Sequence, residues 1–269
     1  MQYDPIKRSL GNIFNKTPFL RILFYRLLDL LLLRAWHIKR EIKVWSKKRV
    51  LKQHILDAGS GFGQYTYYMS TLSPEYQILA VDVKDEQVRD CNIFFKKIGK
   101  ENAVEFRVDD LTKFQKENTF DLVVCVDVME HILEDVTVFK NFCASMKTGA
   151  MLLISTPSDQ GGSDVQEAGE ASFIEEHVRD GYNILDIEKK LKSAGFSKVE
   201  AKYSYGTPGK ISWRLSMKYP IQMLGVSKLF FIILPIYYIL LYPLCYLLNY
   251  LDATGTHKTG TGLIVKAWK

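Results

Sequence analysis

The sequence predicts an α/β fold, a mostly parallel seven-stranded sheet wrapped by helices, on three observations. Short apolar runs of strand length alternate with helical patterns. One such run, Ile55-Leu56-Asp57, leads into a loop rich in glycine, and later runs end in carboxylates at Asp82, Asp110 and Asp127. Apolar residues make up 47% of the 269, enough for a sizeable core.

In chain order, the first element is basic. Residues 1–53 carry thirteen Lys or Arg against three acids, and the remainder of the chain is mildly acidic. Arg21, Arg26 and Arg34 interleave with Phe19, Leu20, Ile22, Leu23, Phe24, Leu27, Leu28 and the run from Leu30 to Leu33. Residues 1–50 therefore read as a helical appendix, either lying at an anionic membrane face or packed on its own domain with a solvated basic side. A long polar leader before the apolar run, and its interruption by Arg26 and Asp29, argue against a signal peptide. Cys91, Cys125, Cys143 and Cys245 show no paired spacing, so no zinc knuckle or disulfide framework is expected, which fits a reducing cytosolic setting.

Strands are expected over His54–Asp57, Gln77–Asp82, Ala103–Val108, Phe120–Val126, Ala150–Ser155, Lys198–Tyr203 and Gly262–Ala267. Helices fit between them over Gly63–Thr71, Asp85–Ile98, Ile132–Met146 and Ile184–Ser193. In Asp57-Ala58-Gly59-Ser60-Gly61-Phe62-Gly63, alternate glycines let the backbone turn sharply and approach a ligand that a Cβ would repel. A dinucleotide fingerprint would place its third glycine at position 64, where the chain has Gln64.

The Asp-x-Gly-x-Gly-x-Gly pattern resembles motif I of the class I S-adenosylmethionine (SAM) dependent methyltransferases. The likeness continues through Ala80-Val81-Asp82-Val83, Asp109-Asp110-Leu111, the stretch Phe120 to Ile132, and Ala194-Gly195-Phe196. It implies a Rossmann-like sheet whose last strand is antiparallel, with SAM as cofactor. Carried over, Asp57 would bond the SAM amine, and the loop residues Ala58, Gly59, Ser60, Gly61 and Gly63 would cradle its aminoacyl end, with carboxylate favoured at the following helix start. Asp82 would hold the ribose hydroxyls beside Val83, Asp110 the adenine amino group beside Leu111, and Asp127 would border the same site.

Glu130 and His131, just past the fourth strand, are the first acid/base candidates, and the pair is similar to that of the ubiquinone-biosynthesis O-methyltransferases. In that subgroup an acid three residues earlier helps bind a divalent metal. Asp127 stands there with a shorter reach, and no metal is assigned. His177, in the cluster Glu175 to Tyr182, is a rival base, and Arg179 is a candidate for holding an anionic acceptor; the alternative for this cluster is a salt-bridged, capped helix entry.

The core is expected over residues 51–204, a hydrophobic insertion over 205–260 and the final strand over 261–269. Leu229 to Leu248 is uncharged and long enough for a bilayer core, but Pro235 and Pro243 interrupt it and the chain must return to its sheet. Two short helices dipping into one leaflet are expected, with Tyr237, Tyr238, Tyr242, Tyr246 and Tyr250 at headgroup level; the alternative is a buried cap or dimer interface. The sequence thus points to methylation of an oxygen on a small or lipid-linked acceptor at the cytosolic membrane face. The alternative is a non-catalytic, membrane-associated SAM-binding protein. No nucleic-acid partner is expected.

Overall fold

The computed structural model describes residues 17–47, 49, 51–161 and 178–269. His177 and its neighbours Glu175 and Glu176 lie outside the described residues. The strands are β1 (Gln53–Ala58), β2 (Tyr76–Asp82), β3 (Val104–Val108), β4 (Phe120–Val126), β5 (Met146–Pro157), β6 (Lys198–Ser204) and β7 (Gly262–Trp268). They form one sheet in the order β3-β2-β1-β4-β5-β7-β6. The pairs β2–β3, β1–β2, β1–β4 and β4–β5 are parallel, and β7 runs antiparallel to both β5 and β6. Both faces of the sheet are buried, as a parallel sheet requires. Along β1, Leu56 and Ala58 point into one core cluster and Ile55 into the other.

The first cluster is closed by α5 (Asp135–Ser145) and α6 (Ile184–Ser193), the second by α3 (Gln64–Ser70), α4 (Asp85–Lys97) and two N-terminal helices. These are α1 (Pro18–Leu31) and α2 (Leu33–Ser46), separated at Leu32, whose backbone is extended. Thr17 caps α1 by accepting from the Leu20 amide, with Pro18 in the first turn. Tyr25, Ala35, Ile38, Ile42 and Trp45 are buried in the second cluster, so the basic N-terminal segment covers one face of the sheet.

Helix α5 starts three residues later than the pattern predicts. Met129–His131 forms a single 3-10 turn and Ile132 is extended. The Arg179 guanidinium takes the carbonyls of Ile132 and Leu133 that a continuing helix would have used internally.

Between β6 and β7 the chain makes a helical hairpin. One arm runs through α7 (Thr207–Trp213), a π-helical stretch Arg214–Lys218 and α8 (Tyr219–Val226); the other is α9 (Phe230–Thr254). The expectation of two short helices broken at a proline is corrected here. Pro235 and Pro243 both lie inside the 25-residue α9, and the break falls at Ser227, which is extended. Each internal proline removes one donor while the turns on either side keep theirs, so the long helix survives. Pro220 cannot donate to the Ser216 carbonyl four residues back, and the Tyr238 hydroxyl does so instead at 2.8 Å. Tyr237 serves the Leu215 carbonyl and Tyr242 the Leu30 carbonyl at the end of α1. Three of the five rings are thereby committed to protein carbonyls, leaving Tyr246 and Tyr250 as the exposed pair.

Candidate functional site

The carboxyl ends of β1, β2 and β4 converge on the glycine loop. Gly59, Gly61 and Gly63 all adopt left-handed φ, at 78°, 50° and 76°. The amides of Gly59 and Ser60 both donate to the Val81 carbonyl at 2.9 Å, which binds the loop to β2. A Cβ on Gly59 would lie 2.2 Å from Val128 Cγ2, whereas one on Gly61 would meet nothing within 4 Å. The first glycine is thus demanded by packing, and the second faces open space.

Asp57 is 2% exposed and accepts from Thr66 Oγ1. Burial, countered in part by Thr66 and aided by the Asp82 charge, pushes its carboxyl up to about 7. Asp82 accepts from the Gly61 amide on one oxygen and from the Lys84 amide on the other, both at β2's tip. Val83, next to it, is exposed. Asp110 accepts from both the amide and the hydroxyl of Thr112, which hold its carboxyl below the usual range. Leu111 is buried in the core, and Asp109 caps the Asp110 amide.

At the end of β4, Asp127 sits at φ 53°, a conformation costly for a residue with a Cβ. It is paired with the Arg34 guanidinium of α2. The Arg34 amide donates to the hydroxyl of Tyr205, which stands at φ 55° at the end of β6. Arg34 thus ties together two strained positions on the same edge. Arg34 keeps 38% of its side-chain surface accessible and Asp127 keeps 31%. Glu130 behind them is 1% exposed and accepts from Thr156 Oγ1. Burial, reinforced by the Asp127 charge, pushes its carboxyl well above the usual carboxylate range. His131 is exposed on the same turn.

Arg179, the candidate anion holder, is committed elsewhere. It pairs with Asp135 and donates to the Tyr182 hydroxyl and to the carbonyls of Ile132 and Leu133. Its work is to fasten the segment after residue 178 to the turn after β4. Among the described residues no three His, Cys, Asp or Glu side chains group as metal ligands, and Asp127 faces a guanidinium.

Residues 51–200 match the methyltransferase-domain family. The chain belongs to the class I SAM-dependent methyltransferases. Phosphoethanolamine N-methyltransferase 1 of Triticum aestivum is 32% identical over 150 residues, covering 55% of this methyltransferase and 29% of the wheat protein. The human mitochondrial ubiquinone biosynthesis O-methyltransferase is 31% identical over 113 residues, 40% of this chain and 30% of that protein. The alignments thus span under a third of either relative. The structure of phosphoethanolamine N-methyltransferase 2 from Haemonchus contortus, with phosphomonomethylethanolamine and S-adenosylhomocysteine, superposes at TM-score 0.60 with 19% identity, covering 86% of this chain and 52% of that one. That likeness is one of fold.

The cofactor of this methyltransferase is SAM, and the loop fits it on two observations. Ser60 Oγ is buried in the loop with no hydrogen-bond partner, and Gly61 borders open space where a Cβ would otherwise stand. The residues that would hold SAM are Asp57 for the amine, the Gly59–Gly61 amides for the carboxylate and Asp82 for the ribose. The structure adds partners that lie outside any motif: Thr66 on Asp57, Arg34 on Asp127, and Arg21 and Tyr25 of α1, which both donate to the Phe62 carbonyl behind the loop. Helical spacing of Arg21 and Tyr25 places both on one face of α1, but nothing local says that this face meets residue 62.

Proposed function

We propose that this methyltransferase transfers the SAM methyl group to an oxygen of a small or lipid-linked acceptor presented at the cytosolic face of a membrane. SAM supplies a methyl electrophile on a sulfonium, which the acceptor oxygen must approach in line while its own proton leaves. His131, exposed on the turn after β4, is the proposed base, with Glu130 behind it as a carboxyl that burial holds above the usual carboxylate range. His177 is retained as the rival base.

One observation carries the membrane part of this reading. Helix α2, which brings Arg34 to Asp127, also brings His37 to Asp252 at the base of the apolar hairpin. The wall on the acceptor side of the site and the apolar surface are therefore one piece of structure. The likeness to phosphoethanolamine N-methyltransferases favours a second reading, in which the accepting atom is nitrogen.

The test is incubation with isotopically labelled SAM and separate lipid and aqueous extracts, followed by mass spectrometry of the product. Label in a lipid-phase ether is expected. An N-methylated product would move the assignment to nitrogen, and label confined to aqueous products would overturn the lipid-linked acceptor. Should His131→Ala and His177→Ala both leave turnover at wild-type level, neither histidine is the base. Binding of SAM with no labelled product from any extract would favour the non-catalytic alternative.

A further inference from the structure

Two helices far apart in the chain each expose an apolar stripe. On α1 the exposed residues Phe19, Leu23, Leu27 and Leu30 recur at helical spacing, forming a stripe on the side opposite buried Arg21 and Tyr25. On α9 a second stripe runs through Leu229, Ile232, Ile236, Ile239, Leu240 and Leu247, with Ile239 at 73% exposed. Helix α9 reaches the end of α1 where the Tyr242 hydroxyl bonds the Leu30 carbonyl, and it meets α2 where the Trp36 and Tyr246 rings pack edge to face, their centroids 4.8 Å apart. A monomer rarely leaves so much aliphatic surface in water.

Charge in the hairpin selects the occupant. From 205 to 251 the chain carries Lys210, Arg214, Lys218 and Lys228 and no acid at all, and Arg26 lies within the α1 stripe. A second copy of the chain would bring these cations against their own kind. An anionic lipid surface is complementary to them.

Geometry selects the depth. Helix α9 is long and apolar enough to cross a membrane. Its base is nevertheless held inside the protein. Cys245, Asn249, Asp252 and Ala253 are buried. Asp252 accepts from His37 and from the amides of Tyr205 and Gly209. The hairpin's two ends feed β6 and β7, which are paired at Ser204 and Gly262. The part of α9 before Cys245, Phe230 to Leu244, spans only ~22 Å at 1.5 Å per residue, short of the ~30 Å of a hydrocarbon core.

We propose that α1 and α9 together form a monotopic docking surface that lies flat in the interface of an anionic leaflet, its apolar stripe sunk ~5–10 Å. This rests on the membrane-surface reading above and adds to it the surface, its composite origin and the lipid charge.

The test is flotation of the full chain with vesicles of phosphatidylcholine alone and of phosphatidylcholine with phosphatidylglycerol. The wild type is expected to float with the second and weakly with the first. Ile236→Glu with Leu240→Glu should cut partition at least tenfold, and Leu23→Glu on α1 about tenfold, with melting temperature and SAM binding by calorimetry unchanged. A Lys228→Cys variant bound to vesicles should react with a membrane-impermeant maleimide added outside. Failure to float with anionic vesicles, unaltered flotation of Leu23→Glu, or protection of Cys at 228 would each overturn the proposal. So would a concentration-dependent dimer that the paired substitution dissociates. The function reading fails separately. A protein that does not float but methylates an acceptor in detergent refutes only the surface, and one that floats without yielding any methylated product refutes only the chemistry.

Discussion

The loop after β1 and the cap over it are built on opposite principles. Around the loop the hydrogen bonds that hold its two carboxylates are short in sequence: Asp57 to Thr66 spans nine residues and Gly61 to Asp82 twenty-one. In the cap they are long: Tyr25 reaches Phe62, Arg34 reaches Asp127 and His37 reaches Asp252, 215 residues away. The loop is a motif that folds largely on its own neighbours, while the cap exists only once both ends of the chain have met. The difference predicts that damage to the loop should act on SAM directly, and damage to the cap should act on stability and on the acceptor side.

The largest effect is expected at Gly59→Ala. It forces a Cβ onto Val128 and an L side chain into a left-handed φ, together costing about 2–5 kcal/mol. SAM binding by calorimetry should be lost. Adding Val128→Ala should relieve the clash but not the φ, so recovery should be partial; full recovery would show that backbone conformation is unimportant there.

Next is His37→Ala in the cap. Burial works to raise the Asp252 carboxyl, and the His37 hydrogen bond with its neighbours more than reverses this, so Asp252 is held below its ordinary range. Removing His37 leaves a buried charge short of a partner, at about 2–4 kcal/mol, read as a lower unfolding midpoint in urea. SAM affinity of the still-folded fraction should change little if the loop is as local as its contacts suggest.

Arg34→Gln sits between the two regions. It frees Asp127, and turnover should fall about tenfold with little change in SAM affinity. Arg34→Lys should restore part of the loss, since it returns the charge without the guanidinium plane. Equal loss in both variants would mean that the guanidinium's shape, not its charge, is what Asp127 needs.

The pH dependence follows from Asp57. Its carboxyl is raised from 3.8 to about 7, so over that window the native state holds a proton that the unfolded chain lacks. The ligand-free fold therefore loses stability as pH rises through the window. The SAM ammonium favours the ionised form, so the thermal shift produced by SAM should be larger at about pH 8 than at about pH 6. Asp57→Asn should flatten this dependence and raise the ligand-free melting temperature by roughly 3 °C at about pH 8.

The smallest effect belongs to the exposed stripe. Ile239→Ser should move stability by no more than about 0.5 kcal/mol by urea unfolding, because the side chain touches little that folding buries.

The sequence by itself determined the core of this protein. Seven strands, their connecting helices, the glycine loop and the carboxylates at Asp57, Asp82 and Asp127 were legible because a strand's apolar run and a tight turn's glycines answer to near neighbours. The proline rule misled at α9, since two lost donors do not break a helix whose other turns remain bonded. For Arg179 the sequence left an anion holder and a salt-bridged helix entry both open, because its partners Asp135 and Ile132 lie more than forty residues away. Arg34 carried no signal at all: as one arginine in a basic segment, it becomes part of the site only through the ion pair to Asp127. Tertiary structure alone decided that the N-terminal helices and the late hairpin share one cap, because hydrogen bonds such as His37 to Asp252 depend on where the sheet has already brought the chain.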